Sequence, residues 1–265
     1  MLKNRLIPVL FLKDGFLVRS ESFCIHQNLG NPFAQVERYN AWNVDELIYI
    51  DISESSAYTK KRSDLGKNNP SPANTLELIK MVSSHCFMPL TFGGGIRELE
   101  EIRQRFSFGA DKITLNSKAV NDPEFITSAA KRFGSQAIVI SIDVMKHQNG
   151  QYEVFSGRGK HATGWTPDAW AQEAEKRGAG EILLNSIDLD GKATGYDIDL
   201  IRTVVDATKI PVIACGGAAS HQDFAQAVTV GGASAAAAGN MFHFKELAYP
   251  LAKRQLKMAG LNFRK

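Results

Sequence analysis

The chain has 265 residues, 44% hydrophobic and 22% charged, an ordinary globular balance with enough length to bury a large core. Its net charge of +3 is not gathered into a basic stripe interleaved with aromatics, which argues against a nucleic-acid binder, and no run approaches the ~18 apolar residues of a membrane span. Cys24, Cys86 and Cys215 show neither CxxC nor any metal-ligand spacing; the chain therefore reads as a cytoplasmic protein with no disulfide framework, metal or organic cofactor.

Leu6 to Leu12 is a continuous apolar run and predicts a buried first strand, ended by Lys13-Asp14-Gly15. A helix is expected from Pro32 to Trp42 and a second strand from Glu46 to Ile52. Ser53 to Ala73 is rich in Ser, Lys, Asn and Pro without apolar periodicity. A loop of about 20 residues inside a compact domain is either functional, as a lid or partner contact, or disordered. A helix over Asn74–His85 places Leu76, Ile79 and Val82 on one face. The third strand runs into Phe92-Gly93-Gly94-Gly95-Ile96, and a helix follows to about Phe106. Ala110 to Asn116 is the fourth strand, and Asn121-Asp122-Pro123 opens another helix.

Ala137 to Val144 is the fifth strand, with Asp143 near its end. His147 to Phe155 reads as a hairpin turning at Asn149-Gly150. Thr166-Pro167-Asp168 caps a helix to Arg177, and Glu181 to Asp188 is the sixth strand. A helix over Asp197–Ala207 precedes the seventh strand, Ile210 to Ala214. Ser220 to Asp223 is a capping box for a helix to Val230. Ala235 to Ala238 is the eighth strand, and a last helix covers Phe244 to Ala259.

Eight short buried strands alternating with helices mean a parallel sheet. In this length they favour a single closed (β/α)8 barrel over an open sheet. The halves, about 1–133 and 134–265, match in order and in glycine placement, as an internal duplication would leave them. Each carries a strand, a glycine turn and a helix start: Gly94 and Gly95 in the first, Gly216 and Gly217 in the second. Each is followed by a small-residue strand end, Asn116-Ser117 or Gly239-Asn240. Bare backbone N–H groups at a helix start cradle a phosphate. Close helix–strand packing is the competing explanation for the glycines. In a barrel both cradles fall at the C-terminal face, on opposite sides, and suit a substrate with a phosphate at each end. Asp143, at a strand's C-terminal end, is placed for proton transfer; a helix cap or ion-pair role is the alternative.

Many stretches together resemble one family. They include Arg5-Leu6-Ile7-Pro8, Val44-Asp45-Glu46-Leu47, the Phe92–Ile96 glycine turn, Gly109-Ala110-Asp111-Lys112 and Phe133-Gly134-Ser135-Gln136. In the second half they include Lys176 to Leu184, Ser186-Ile187-Asp188, Asp190-Gly191 and Gly195-Tyr196-Asp197. In order and number they are similar to the cyclase subunit of imidazole glycerol phosphate synthase, the HisF family, over nearly the whole chain apart from Ser53–Ala73 and the Asn149 region. The resemblance implies a two-fold (β/α)8 barrel with a separate glutaminase, HisH-like, docked on its N-terminal face. Ammonia from that partner would cleave and cyclise a bisphosphorylated ribotide, giving imidazole glycerol phosphate and an aminoimidazole carboxamide ribotide in histidine biosynthesis. By position, Gly94, Gly95, Asn116 and Ser117 would hold one phosphate, and Asp190, Gly191, Gly216, Gly217, Gly239 and Asn240 the other, with Arg19 where the family usually has Lys. Arg5, Glu46, Lys112 and Glu181 would form an ion-paired gate for ammonia, Asp143 would be one of two catalytic carboxylates, and Asp111 would touch the glutaminase.

The second carboxylate is missing: its position is Phe11, and a phenyl ring transfers no proton. Loss of one member of a proton-transfer pair costs about 10²–10⁴ in rate. Gly239-Asn240 also replaces a small-residue-Ser pair, and the loop after the second strand is longer. These departures resemble the family's paralogous branch found with surface-polysaccharide genes, in which such a barrel passes ammonia on for amidination of a sugar. A non-catalytic, phosphate-binding scaffold is the third reading.

Overall fold

The first strand sets the frame. In a computed structural model that describes residues 3–55, 57–58, 72–244 and 246–264, β1 (Arg5–Lys13) is buried along almost its whole length. It turns at Asp14 and Gly15, whose φ angles of 52° and 78° are both left-handed, the geometry of a type I′ hairpin turn. The chain returns antiparallel as β2 (Phe16–Glu21) and again as β3 (Ile25–Gly30). Lys13-Asp14-Gly15 is thus a hairpin turn and not the end of sheet structure.

The remaining strands are β4 (Leu47–Asp51), β5 (Leu90–Gly93), β6 (Lys112–Leu115), β7 (Ile138–Lys146), β8 (Tyr152–Ser156), β9 (His161–Ala162), β10 (Glu181–Ser186), β11 (Val212–Cys215) and β12 (Ala235–Ala238). Eight of them, β1, β4, β5, β6, β7, β10, β11 and β12, pair in parallel in that order. The ring closes where Arg5 to Pro8 lie beside Ala235 to Ala238. This is a closed (β/α)8 barrel. The two nine-residue strands, β1 and β7, each extend past the ring and carry antiparallel partners, β2–β3 on one and β8–β9 on the other.

Ten α-helices are described: α1 (Pro32–Ala41), α2 (Thr75–Ser83), α3 (Leu99–Ser107), α4 (Ser117–Asn121), α5 (Glu124–Phe133), α6 (Pro167–Lys176), α7 (Ile198–Ala207), α8 (His221–Thr229), α9 (Met241–Phe244) and α10 (Ala248–Met258). Several starts are legible in the side chains. Asn74 accepts from the Glu77 N–H, Asp197 from the Leu200 N–H, and Ser220 with Asp223 closes a capping box. Thr166 stands at the N-cap of α6 but its side chain accepts no cap hydrogen bond. The expected last helix, read from Phe244, begins only at Ala248, after Leu247, whose φ is 57°.

Two cores follow from the alternation of the strands. One side of each strand packs against the helices, with Tyr39, Tyr49, Phe92 and Trp170 fully buried. The other side fills the lumen with Ile7, Val9, Phe11, Ile48, Val139, Leu183, Ile213, Ala235 and Ala237. Alanine is a poor strand former, yet β12 is four alanines. Its small lumen side chains sit beside the bulkier ones of β1, an interlocking of large and small.

Of the long loop, only its flanks are described. Tyr58 donates its N–H to Ala73 O at 2.8 Å, and Ala57 bridges Asn74. The lid or partner expectation for Ser53–Ala73 rests mainly on Thr59–Ser71, which lies outside the described residues.

Candidate active site at the strand C-termini

Parallel strands point all their C-terminal ends to one face, so residues far apart in sequence converge there. A cavity of about 600 Å³ opens on that face, lined among others by Phe11, His26, Gly94, Gly95, Asn116 and Asp143. A neighbouring cavity of about 290 Å³ is lined by Arg19, Asp190, Gly191, Gly216, Gly217 and Asn240, with Phe11 on its wall as well. Phe11 therefore stands at the divide between the two.

Asp143 is 7% exposed. Its Oδ1 accepts from Ser141 Oγ at 2.9 Å and its Oδ2 from Asn116 Nδ2 at 3.1 Å. Burial pushes its carboxyl up from 3.8 to about 7, with Asp190 adding in the same direction and the Ser141 hydrogen bond opposing. An acid half-protonated near neutral pH both gives and takes a proton readily. Asn116, expected as a phosphate ligand, donates to this carboxylate. Its amide also donates to Ser141 O and Phe155 O, at 3.2 and 3.3 Å. Ser117 Oγ accepts the Gly157 N–H at 2.9 Å and donates to Asn116 Oδ1.

The glycine turns divide the work. Gly94 has φ 103°, and a Cβ there would overlap the Asp51 carbonyl, so glycine is required for close packing. Gly95, at φ 66°, faces open space and lines the cavity with a bare backbone. In the second half, a Cβ on Gly217 would overlap the Gly195 carbonyl and one on Gly216 would come within 2.7 Å of Ser186 O. In the first turn close packing and open backbone thus fall on neighbouring glycines, whereas in the second both glycines are closely packed.

The two cradles differ in charge. Arg97, Lys118 and Arg158 line the larger cavity. The smaller has Arg19, already paired with Glu21 at 3.2 Å, and the Asp190 carboxyl. Burial raises Asp190, and Ser20 Oγ donates to it at 2.6 Å. Asn240 Nδ2 donates to Ser20 O at 2.9 Å, which ties the second cradle to the β2–β3 hairpin.

At the opposite end of the lumen lie the four strand-start charges. Arg5 Nη1 donates to both Glu46 oxygens at 3.0 Å, and its Nη2 to Glu181 Oε1 at 2.5 Å. Lys112 Nζ reaches Glu181 Oε2 at 2.9 Å and Glu46 Oε2 at 3.4 Å. The ring is closed. Burial alone would lower Arg5, but Glu181 and Glu46 outweigh it and its pKa is raised. Sequence reading missed a fifth member: Arg264, whose Nη1 lies 3.3 Å from Glu46 Oε1. The tail reaches that point because Asn4 exchanges backbone hydrogen bonds with Asn262 and Arg264. Asp111 is exposed on the same face, its Oδ2 accepting the Leu90 N–H at 2.8 Å.

A sequence profile described as histidine biosynthesis protein matches residues 5–248. The chain belongs to this family. It is 40% identical, over the whole of both chains, to a protein of Alkaliphilus metalliredigens named imidazole glycerol phosphate synthase subunit HisF. It is 42% identical over 260 residues, 98% of each chain, to one of the same name from Hyphomonas neptunium. Both relatives are named as subunits of a synthase. Within this HisF family frame the cavity has a carboxylate from β7 and a phenyl ring from β1, where the resemblance implied two carboxylates. Cys24, Cys86 and Cys215 are all free thiols. Among the described residues no cluster of His, Cys, Asp and Glu could hold a metal ion, and no helix is long and apolar enough to cross a membrane.

Proposed function

We propose that the chain is the ammonia-consuming barrel of a glutamine-dependent synthase. Its substrate is the bisphosphorylated ribotide that is cleaved and cyclised to imidazole glycerol phosphate and an aminoimidazole carboxamide ribotide. The observation that carries this reading is the arrangement of one buried acid, Asp143, at the floor of a cavity whose wall includes a bare glycine turn, with a second cradle beyond Phe11. A glutaminase subunit docks on the N-terminal face, where Asp111 is exposed. Ammonia enters through the Arg5–Glu46–Lys112–Glu181 collar and crosses the apolar lumen. Gly95 and Ser117 hold one phosphate, and Gly191, Gly217, Gly239 and Asn240 the other. Asp143 supplies the proton as ammonia adds and the ring closes. The two halves, each with one cradle and one nine-residue strand bearing a hairpin, fit a duplicated half-barrel.

Phe11 favours a second reading. With no carboxylate at the end of β1, the barrel passes ammonia to another acceptor, as in amidination of a surface-polysaccharide sugar. One assay separates the two. The purified chain is given the ribotide and an ammonium salt at alkaline pH, without any partner. Release of the carboxamide ribotide supports the synthase. Binding without turnover, with some turnover restored by Phe11→Asp, supports a repurposed barrel. Absence of both binding and turnover overturns the first reading.

A further inference from the structure

We propose that His26 is the second proton-transfer group of the cavity, taking the part that a side chain at Phe11 cannot. This rests on the ammonia-dependent synthase reading.

The placement follows from the hairpin register. Ser20 of β2 and His26 of β3 are directly paired, so their side chains lie on one face of the ribbon. Ser20 Oγ donates inward to Asp190, which fixes that face toward the barrel mouth. His26 is half-buried there and lines the larger cavity together with Asp143, Phe11 and Gly95. Among the described residues no hydrogen bond holds its ring. An imidazole kept for structure is normally anchored by such a bond; this one leaves both ring nitrogens for a ligand. Burial, then the charges of Lys13 and Arg158, lower its pKa. At neutral pH it is therefore an unprotonated base on the wall of the same cavity as an acid, Asp143, held at about 7. Two groups with environments that separate their proton affinities are what acid–base chemistry requires.

The step balances. The ammonia lone pair forms a bond to a trigonal carbon, and the π pair moves to the atom leaving the double bond. That atom takes the proton of Asp143. The new nitrogen, now carrying one proton too many, gives it to the free nitrogen of His26. The imidazolium gives that proton to the leaving nitrogen as its bond to the carbon breaks, the lone pair of the new nitrogen closes the double bond, and the proton that nitrogen then sheds restores Asp143.

The test uses the full chain with the bisphosphorylated ribotide and ammonium salt, comparing wild type, His26→Gln and His26→Ala. We expect kcat to fall by about 10²–10⁴ in both variants, with KM within about twofold of wild type and an unchanged melting midpoint. Added imidazole restores part of the activity of His26→Ala, where the missing ring leaves room for it, and not of His26→Gln. Wild-type kcat in His26→Gln overturns the proposal, as does a change confined to KM. A lost kcat that imidazole does not restore marks a structural role and overturns it equally. A wild-type chain that neither binds nor turns over the ribotide sinks the synthase reading itself, and this assignment with it.

Discussion

Replacing Asp143 by Asn tests the electrostatics on which the site depends. Moving a carboxyl from 3.8 to about 7 corresponds to roughly 4 kcal/mol between its protonation states. The sign follows from proton counting. Between about pH 4 and 7 the folded chain holds a proton on Asp143 that the unfolded chain has released. Folded stability from this group is therefore full below pH 4 and is lost as pH rises through 7, at up to ~1.4 kcal/mol per pH unit. Asn cannot ionise and lacks this slope. It also has one oxygen where Asp143 has two, so it gives up one of the hydrogen bonds from Ser141 and Asn116, at about 1 kcal/mol. Asp143→Asn should thus be close to wild type near pH 5 and more stable by ~3 kcal/mol at pH 8. Urea unfolding at constant m-value across pH 5–8 reads the difference. Turnover should fall by about 10²–10⁴ at the same time. Parallel stability curves for the two proteins, or a wild type that gains on the variant with rising pH, would refute the reasoning.

Four further variants follow from the same geometry. Phe11→Asp sets a second carboxylate in the same cavity as the first, which pushes Asp143 higher; the acid limb of a pH–rate profile should move above 7, while stability falls by ~3 kcal/mol from the lost ring. Gly94→Ala should abolish binding of inorganic phosphate measured by calorimetry, because its Cβ meets the Asp51 carbonyl. Gly95→Ala, facing open space, should cost only ~1–2 kcal/mol of backbone strain by urea unfolding. Arg5→Ala leaves Glu46 and Glu181 short of a buried cation; it should destabilise the fold by about 3 kcal/mol, near the low end for a buried pair, since Lys112 and Arg264 remain beside them.

The barrel was legible because its strands are buried on both sides. Runs such as Leu6–Leu12 and Ala137–Val144 carry that signal without an alternating pattern. The β2–β3 hairpin was not. Ile25-His26-Gln27-Asn28 is exposed or half-buried and has no apolar face to read, although Asp14-Gly15 is a hairpin turn pair. The same gap hid His26, whose place depends on register with Ser20. Asn116 was read as a phosphate ligand from its position in a small-residue strand end; only the fold brings it across to Asp143, 27 residues on. Arg264 could not be foreseen from spacing, because a tail docking on Asn4 is a long-range pairing.

That tail has a further consequence. The mouth at the strand starts holds three cations, Arg5, Lys112 and Arg264, against two carboxylates, Glu46 and Glu181. The balance of these five groups is one positive charge, set at the threshold of a lumen lined by Ile7, Val9 and Leu183. An ammonium ion arriving there meets repulsion first and then loses its hydration in an apolar passage, a cost of several kcal/mol for an unpaired ion. A neutral ammonia molecule meets neither barrier. On the proposed ammonia route such a collar sorts by charge and not by size, and Arg264 sets its polarity.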